Sequence, residues 1–380
     1  MTEKLKVLTV VGTRPEIIRL SATIKLLDEH TEHVLVHTGQ NYDYELNEVF
    51  FEDLGLRKPD HFLEADTSSL GAALGSILAK IEKVLIVERP DAFLVLGDTN
   101  SCISAVMAKR MRIPVFHMEA GNRSFDENVP EETNRRLVDH VSDYNLVYTE
   151  HARRNLLAEG IHPARILLTG SPMREVLEQN REQIEASDAV ERMGLNPGEY
   201  FLVSLHREEN VDSPSRLRSA IDALVELSVE YELPVLVSTH PRTRKRLEAL
   251  GIAENDRVRY HVPFGFHNYC KLQLESKLVL SDSGTISEES SLLGFPAITL
   301  RDFIERPEAL DAGAIVTSGV ARNEILDSVR IALASRENEH RRIPRGYEIA
   351  DVSYRVLGFL RGSAHSHGQR AGLRLAGESA

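Results

Sequence analysis

The sequence is short of cysteine, of basic charge and of long apolar runs, and each shortage removes a class of protein. Only Cys102 and Cys270 occur, far apart in 380 residues. Two thiols at that spacing build neither a disulfide framework nor a zinc knuckle, and both are expected as buried, small apolar side chains. Lysine and arginine total 45 against 58 acidic residues, a formal net charge of −13. That balance argues against a nucleic-acid partner, which needs a basic surface, but leaves room for a local basic pocket around an anionic ligand. The longest apolar stretches, such as Val7–Val11 and Phe93–Leu96, are of strand length. They fall far short of the ~20 residues of a membrane span. Met1 to Lys6 carries three charged residues and no apolar core of a signal peptide, so the expectation is a cytoplasmic protein without membrane contact. Neither GxGxxG nor GxxxxGK[ST] occurs, which disfavours nicotinamide enzymes and P-loop ATPases. His117-Met118-Glu119 imitates the His-x-Glu of zinc deaminases, but their Pro-Cys-x-x-Cys is missing. No metal site and no cofactor is expected.

The composition is that of a globular protein, with 42% hydrophobic and 27% charged residues. At ~150 residues per domain the length suggests two domains. Short apolar runs alternate with helix-periodic segments. Expected strands are Val7–Val11, Val34–His37, Ala92–Leu96, Val115–His117, Leu146–Tyr148 and Ile166–Leu168. A second series comprises Tyr200–Ser204, Val235–Ser238, Val258–His261, Leu278–Leu280, Ala297–Leu300 and Ile315–Thr317. This alternation predicts an α/β protein of two doubly wound, Rossmann-like domains with parallel sheets. The first spans 1–170, a polar helical linker 171–195, the second domain 196–346, and a helix crossing back 347–361. The tail 362–380, rich in Gly, Ser, Ala, His and Arg, is expected to be disordered, with His365 and His367 in solvent. In such a fold the ligand sits beyond the carboxyl ends of the strands, here at a central cleft.

The loops after those strands hold the unusual residues. Gly12-Thr13-Arg14-Pro15-Glu16 follows the first strand. Its glycine permits a tight turn, its proline suits a helix start, and Arg14 stands beside free N–H groups that attract phosphate. Asp98 in Gly97-Asp98-Thr99 reads either as a ligand-facing carboxylate or as the cap of the next helix. Glu119 follows another buried strand. Glu131 and Glu132 open a helix, the first as an acid near a helix start and the second as a surface pair with Arg136. Asp98, Glu119 and Glu131 fall on one rim, and neighbouring acids can divide acid and base roles. In the second half His206 and Arg207 follow a strand. Ser281-Asp282-Ser283-Gly284-Thr285 leads into a helix N-terminus suited to phosphate, and Glu289, further along, is placed to accept from ribose hydroxyls. Arg306, in Glu305-Arg306-Pro307-Glu308, follows the next strand and is expected near the same mouth.

Together these motifs resemble the non-hydrolysing UDP-N-acetylglucosamine 2-epimerases. The likeness covers Gly12–Glu16, Gly97–Thr99, His117–Gly121, Pro130–Glu132, His206-Arg207, Asp282–Gly284 and Glu305–Glu308, in order, over about residues 5–360. The hydrolysing relatives carry Gly-Asp-Arg where this chain has Gly97-Asp98-Thr99. The resemblance implies a glycosyltransferase-B-like fold, a homodimer, and inversion at C2 of a UDP-linked 2-acetamido sugar through UDP elimination and re-addition. It implies catalytic roles for Asp98, Glu119 and Glu131 in proton transfer, and for His206 at the leaving diphosphate. It implies substrate binding by Arg14, Arg19, Arg135, Arg207, Tyr269, Ser283, Gly284, Thr285, Glu289 and Arg306. Tyr269 reads equally as helix packing.

The sequence departs from the family's common pattern at several points. Arg19 stands where Lys is frequent, and Gln40-Asn41 replaces a Gln-His pair linked to activation by UDP-N-acetylglucosamine. Asn122, Thr285 and Gly170-Ser171-Pro172-Met173 also differ. Those departures resemble the capsule and O-antigen branch that converts UDP-2-acetamido-2,6-dideoxy-L-talose to UDP-N-acetyl-L-fucosamine, with UDP-N-acetylglucosamine as the alternative substrate. A hydrolysing epimerase, a glycosyltransferase of the same fold and a non-catalytic sensor are the competing readings.

Overall fold

Runs rich in Val, Leu, Ile and Phe, buried on both faces, build two parallel sheets. The computed structural model describes residues 4–39, 44–252, 256–302, 304–335, 343–370 and 372. The chain divides into two compact units, residues 1–179 with 346–380, and residues 180–345.

The first unit contains β1 (Lys6–Val11), β2 (Glu32–His37), β3 (His61–Phe62), β4 (Ala92–Leu96), β5 (Val115–Met118), β6 (Tyr144–Val147) and β7 (Ile166–Leu168). Their order in the sheet is β3-β2-β1-β4-β5-β6-β7. Leu8 of β1 stands opposite Val34 of β2 and Phe93 of β4. The order of connection reverses between β1 and β4, so the loops after these two strands flank the crevice where an open α/β sheet takes its ligand. The two-residue β3 was not expected from sequence; it is too short to show a period.

The second unit contains β8 (Phe201–Ser204), β9 (Val235–Ser238), β10 (Val258–His261), β11 (Leu278–Ser281), β12 (Ala297–Leu300) and β13 (Val316–Ser318). Their order is β10-β9-β8-β11-β12-β13, and the reversal falls between β8 and β11. The loops that carry His206 and Ser283 therefore occupy the same position in this unit that Arg14 and Asp98 occupy in the first.

The expected linker 171–195 is split. Helix Met173–Gln179 belongs to the first unit, and helices Arg181–Ala186 and Ala189–Arg192 to the second. The chain returns to the first unit at Gly346, where Ser171 N–H donates to the Gly346 carbonyl at 2.8 Å. Backbone approach here is too close for side chains. A Cβ on Gly346, at φ 98°, would stand 2.3 Å from the Tyr148 carbonyl oxygen. Helix Val352–Ser363 then buries Val352, Val356, Leu357 and Leu360. Its Phe359 packs edge-on against Tyr144 and Phe116, with centroids at 5.3 and 6.0 Å.

The expectation of a disordered tail from Gly362 is corrected. Helix continues to Ser363, a further turn spans His367–Arg370, and His367 is buried beside the Tyr144 hydroxyl and 3.5 Å from Asp143. A low-complexity composition concealed one ring with a docking place. Gln40-Asn41, and the end of the tail beyond residue 372, lie outside the described residues. Cys102 and Cys270 are buried and free, as expected.

Candidate active site

In the first unit the two loops at the sheet's reversal are tied by a carboxylate that sequence reasoning passed over. Glu16 is 1% exposed. Its Oε2 accepts from the Gly12 and Thr13 N–H groups at 2.9 and 2.7 Å, and its Oε1 from the Thr99 hydroxyl at 3.1 Å and from Ser101. Burial lifts its carboxyl above the ordinary range, against the pull of these donors. The spacing Thr13-x-x-Glu16 is a capping-box signal and was the available clue. Arg14, one residue past Thr13, lies over the Phe50 ring at 5.7 Å.

Asp98 does not cap the following turn; Thr99 does. Asp98 Oδ2 instead accepts from Nε and Nη2 of Arg135, both at 2.7 Å. Arg135 in turn donates to Glu132 Oε2 at 3.1 Å. Glu132 was expected in a surface pair. It does bond Arg136, but it is 4% exposed, and it also accepts from the Ser124 N–H at 3.0 Å. Burial works to raise its carboxyl, and the Ser124 and Arg135 donors outweigh it, leaving it below the usual range. Glu132 therefore aims Arg135 at Asp98. Glu131, half-buried, is in the first turn of helix Pro130–Val141.

Glu119 sits at φ 65°, in the left-handed region that a carboxylate side chain seldom occupies. Its Oε2 pairs with Nη1 of Arg19, and both side chains are buried. Behind it, His117 Nε2 donates to the Gly97 carbonyl at 2.7 Å and its Nδ1 meets Asp139 at 2.9 Å. Asp139 also accepts from the Gly121 N–H and from Arg123. One buried cluster thus holds the strand ends that carry Asp98 and Glu119.

In the second unit Asp282, fully buried, organises the loop after β8. It accepts from the N–H groups of His206 and Arg207, at 3.0 and 2.9 Å, from Asn210 Nδ2, and lies 3.0 Å from His206 Nδ1. Burial alone would raise its carboxyl; His206, the Arg207 N–H and Asn210 hold it below its usual value. With Nδ1 so engaged and 41% of the His206 side chain exposed, Nε2 is the ring's outward nitrogen. Arg207 Nε donates to the Asp282 carbonyl, and its Nη2 reaches Glu305 at 3.3 Å. Ser283, Gly284 and Thr285 form a turn before helix Ile286–Leu293, with the Ser283 and Thr285 hydroxyls 2.9 Å apart. Glu289 accepts from Gln273 Nε2 at 2.6 Å. Arg306 is buried and pairs with Glu288 at 3.3 Å. Tyr269 packs partly on the core around Leu272, Phe264 and Ile286. Burial, and then the charge of Glu289, push its hydroxyl far above its usual value. It therefore packs and neighbours Glu289 at once.

The structure brings Asp98 to Arg135 and Glu119 to Arg19 in the first unit. In the second it gathers His206, Arg207 and the Ser283 turn around Asp282. Among the described residues no group of three or more His, Cys, Asp or Glu is arranged to hold a metal ion. No helix among them is long and apolar enough to cross a membrane.

Two parallel α/β units, each with its polar side chains gathered at the reversal of strand order, define a protein of the Rossmann-like, glycosyltransferase-B-like class. Within that class the chain belongs to the UDP-N-acetylglucosamine 2-epimerase family, whose model matches residues 25–361. It is an isomerase, a UDP-sugar 2-epimerase. A UDP-N-acetylglucosamine 2-epimerase structure from Rickettsia bellii is 43% identical, with a TM-score of 0.91 and coverage of 98% of this chain and 100% of that one. The Methanocaldococcus jannaschii UDP-GlcNAc 2-epimerase in complex with UDP-GlcNAc and UDP is 36% identical, with a TM-score of 0.88 and coverage of 94% and 100%. The UDP-2,3-diacetamido-2,3-dideoxy-D-glucuronate 2-epimerase of Pseudomonas aeruginosa is 39% identical over 335 residues, 87% of this chain and 92% of that one.

Proposed function

We propose that the protein converts UDP-2-acetamido-2,6-dideoxy-L-talose to UDP-N-acetyl-L-fucosamine, for capsule or O-antigen polysaccharide, by eliminating UDP and adding it back without hydrolysis. The C2 proton is not beside a carbonyl, so its removal must be coupled to loss of a leaving group. A carboxylate takes the C2 proton, the C–H electron pair becomes a C1–C2 double bond, and the C1–O pair departs with UDP. In return the UDP oxygen bonds C1 while an acid delivers a proton to the opposite face of C2. Asp98, Glu119 and Glu131 are the proton carriers in this reading. His206, with Nε2 outward, and Arg14 stabilise the departing diphosphate, as charge developing in a transition state requires. The observation that carries the reading is the pair of carboxylates, Asp98 and Glu119, each locked to a guanidinium beside the sheet's reversal.

Relatives of similar identity are named for different sugars, UDP-N-acetylglucosamine and a 2,3-diacetamido glucuronate, so overall likeness does not select the sugar. The preference for the 6-deoxy-talo substrate rests on Asn122, Thr285 and the Gly170-Ser171-Pro172-Met173 run. UDP-N-acetylglucosamine is the second reading, favoured by the names of the Rickettsia and Methanocaldococcus proteins. A cytoplasmic homodimer is part of the same proposal, and sedimentation equilibrium tests the dimer.

Each UDP-sugar is incubated with the protein in heavy water and followed by proton NMR. Deuterium at C2 and a C2 isomer are expected with the 6-deoxy-talo sugar. Exchange only with UDP-N-acetylglucosamine selects the second reading, accumulating free sugar means hydrolysis, and no exchange with either sinks both. Asp98→Asn and Glu131→Gln are expected to reduce turnover at least a hundredfold with the fold retained. Turnover like wild type in both would remove their assigned roles.

A further inference from the structure

Glu289 is faced by one side of helix Phe266–Leu274. Tyr269, Cys270 and Gln273 all bear on it. Gln273 Nε2 donates to Glu289 Oε2 at 2.6 Å. Behind the effect of burial, the Glu289 charge helps push the Tyr269 hydroxyl and the Cys270 thiol upward. Gln273 is 0% exposed and follows Leu272, which lies in the core cluster with Phe264, Ile286 and Phe295. A leucine or methionine would fill this volume without burying an amide. The orientation of the amide is not ambiguous, since a carboxylate only accepts and the NH2 group must face it. The buried polar side chain therefore has one evident task, which is to donate to one oxygen of one carboxylate.

That carboxylate stands one turn into the helix that begins at the Ser283-Gly284-Thr285 turn. A carboxylate that is to accept from two vicinal hydroxyls must hold its plane before they arrive, or part of the binding free energy goes to ordering it. We infer that Gln273 is a positioning residue that holds Glu289 oriented for the ribose hydroxyls of the nucleotide. This inference rests on the assignment of Glu289 to the ribose under the proposed function.

The test is calorimetric titration of the full-length protein with UDP and with 2′,3′-dideoxy-UDP, which lacks both hydroxyls. Wild type binds UDP more tightly than the dideoxy nucleotide. Gln273→Leu weakens UDP binding about tenfold, the scale of one hydrogen bond to a charged group. It leaves dideoxy-UDP binding as in wild type, because the group it disorders has nothing to hold there. Gln273→Asn keeps a buried amide but withdraws the donor by one methylene, and gives the same contrast if the leucine variant does not fold. An equal loss for both nucleotides overturns the inference, since general loosening of the unit does not distinguish them. A wild type indifferent to the two hydroxyls overturns the assignment of Glu289 itself, and the inference with it.

Discussion

Glu119 combines a left-handed backbone with a buried ion pair, and each is costly unless its surroundings insist on it. Arg19 is the partner that makes the buried carboxylate tolerable. Replacing it by alanine leaves that charge without this cation, and the stability loss should be about 3 kcal/mol by urea unfolding, with C2 exchange falling in parallel. Arg19→Lys, the residue common at this position in the resembled family, should recover part of both. His37 makes a second prediction. Its ring is 1% exposed and stacked on Phe62, and its Nδ1 accepts from the Gly39 N–H at 3.0 Å, which requires the neutral ring. Burial lowers its pKa from 6.5 to about 4. Between these values the unfolded chain binds the proton and the native chain does not, so stability falls as pH drops through this window and is fully present above it. About 2 kcal/mol should be lost between pH 7 and pH 5. In His37→Phe that part of the slope should vanish, and urea titrations at the two pH values measure it.

At the scale of elements, the strand–loop–helix junctions do the work. In the loop after β8 the N–H groups of His206 and Arg207 precede the next helix, and Asp282, just past the end of β11, accepts from both. Asp282→Ala takes the acceptor from those part-buried N–H groups and leaves the buried Asn210 amide with only the Leu300 carbonyl. Stability should fall by about 2–4 kcal/mol, and turnover should fall further than stability explains because His206 loses its orientation. Thermal unfolding beside a turnover assay separates the two effects. This junction also shows what the sequence made legible. Strands buried on both faces read as unbroken apolar runs, so β8 and β11 were found, and with them the loops at their carboxyl ends. The pairings inside the loops were not found. Glu16 with Ser101, Asp98 with Arg135, and Gln273 with Glu289 join residues distant in sequence but brought together by the sheet order, and no periodicity records such a contact. Glu132 was misjudged for the same reason. Its i+3 and i+4 partners, Arg135 and Arg136, are visible in sequence, whereas Ser124 and the reach of Arg135 to Asp98, which decide its role, are visible only once the helix has a position.

At the scale of the whole molecule, the net charge of −13 describes little of the site chemistry, because many of its charges are matched inside. Arg19, Arg123, Arg135 and Arg306 are buried against Glu119, Asp139, Asp98 and Glu288. The larger constraint is the path of the chain. The first unit is incomplete until residues 346–370 return to it. Helix Val352–Ser363 packs against helix Arg14–His30, the element that carries Arg14, Glu16 and Arg19, and its Ser353 N–H donates to buried Glu175 at 2.9 Å. Four buried aliphatic side chains at about 2 kcal/mol each form a contribution comparable to the net stability of a domain. Ending the chain after Arg345 should therefore unfold or loosen the first unit while leaving β8–β13 intact. Hydrogen exchange measures this directly: protection should collapse in Arg14–His30 and in β5 and β6, where Phe116 and Tyr144 lose Phe359, and persist in the second unit. UDP should still bind the truncated chain if the Ser283 turn and Glu289 hold the nucleotide, while C2 exchange disappears. Protection retained throughout the first unit would show that the returning helix is an accessory and not part of its core.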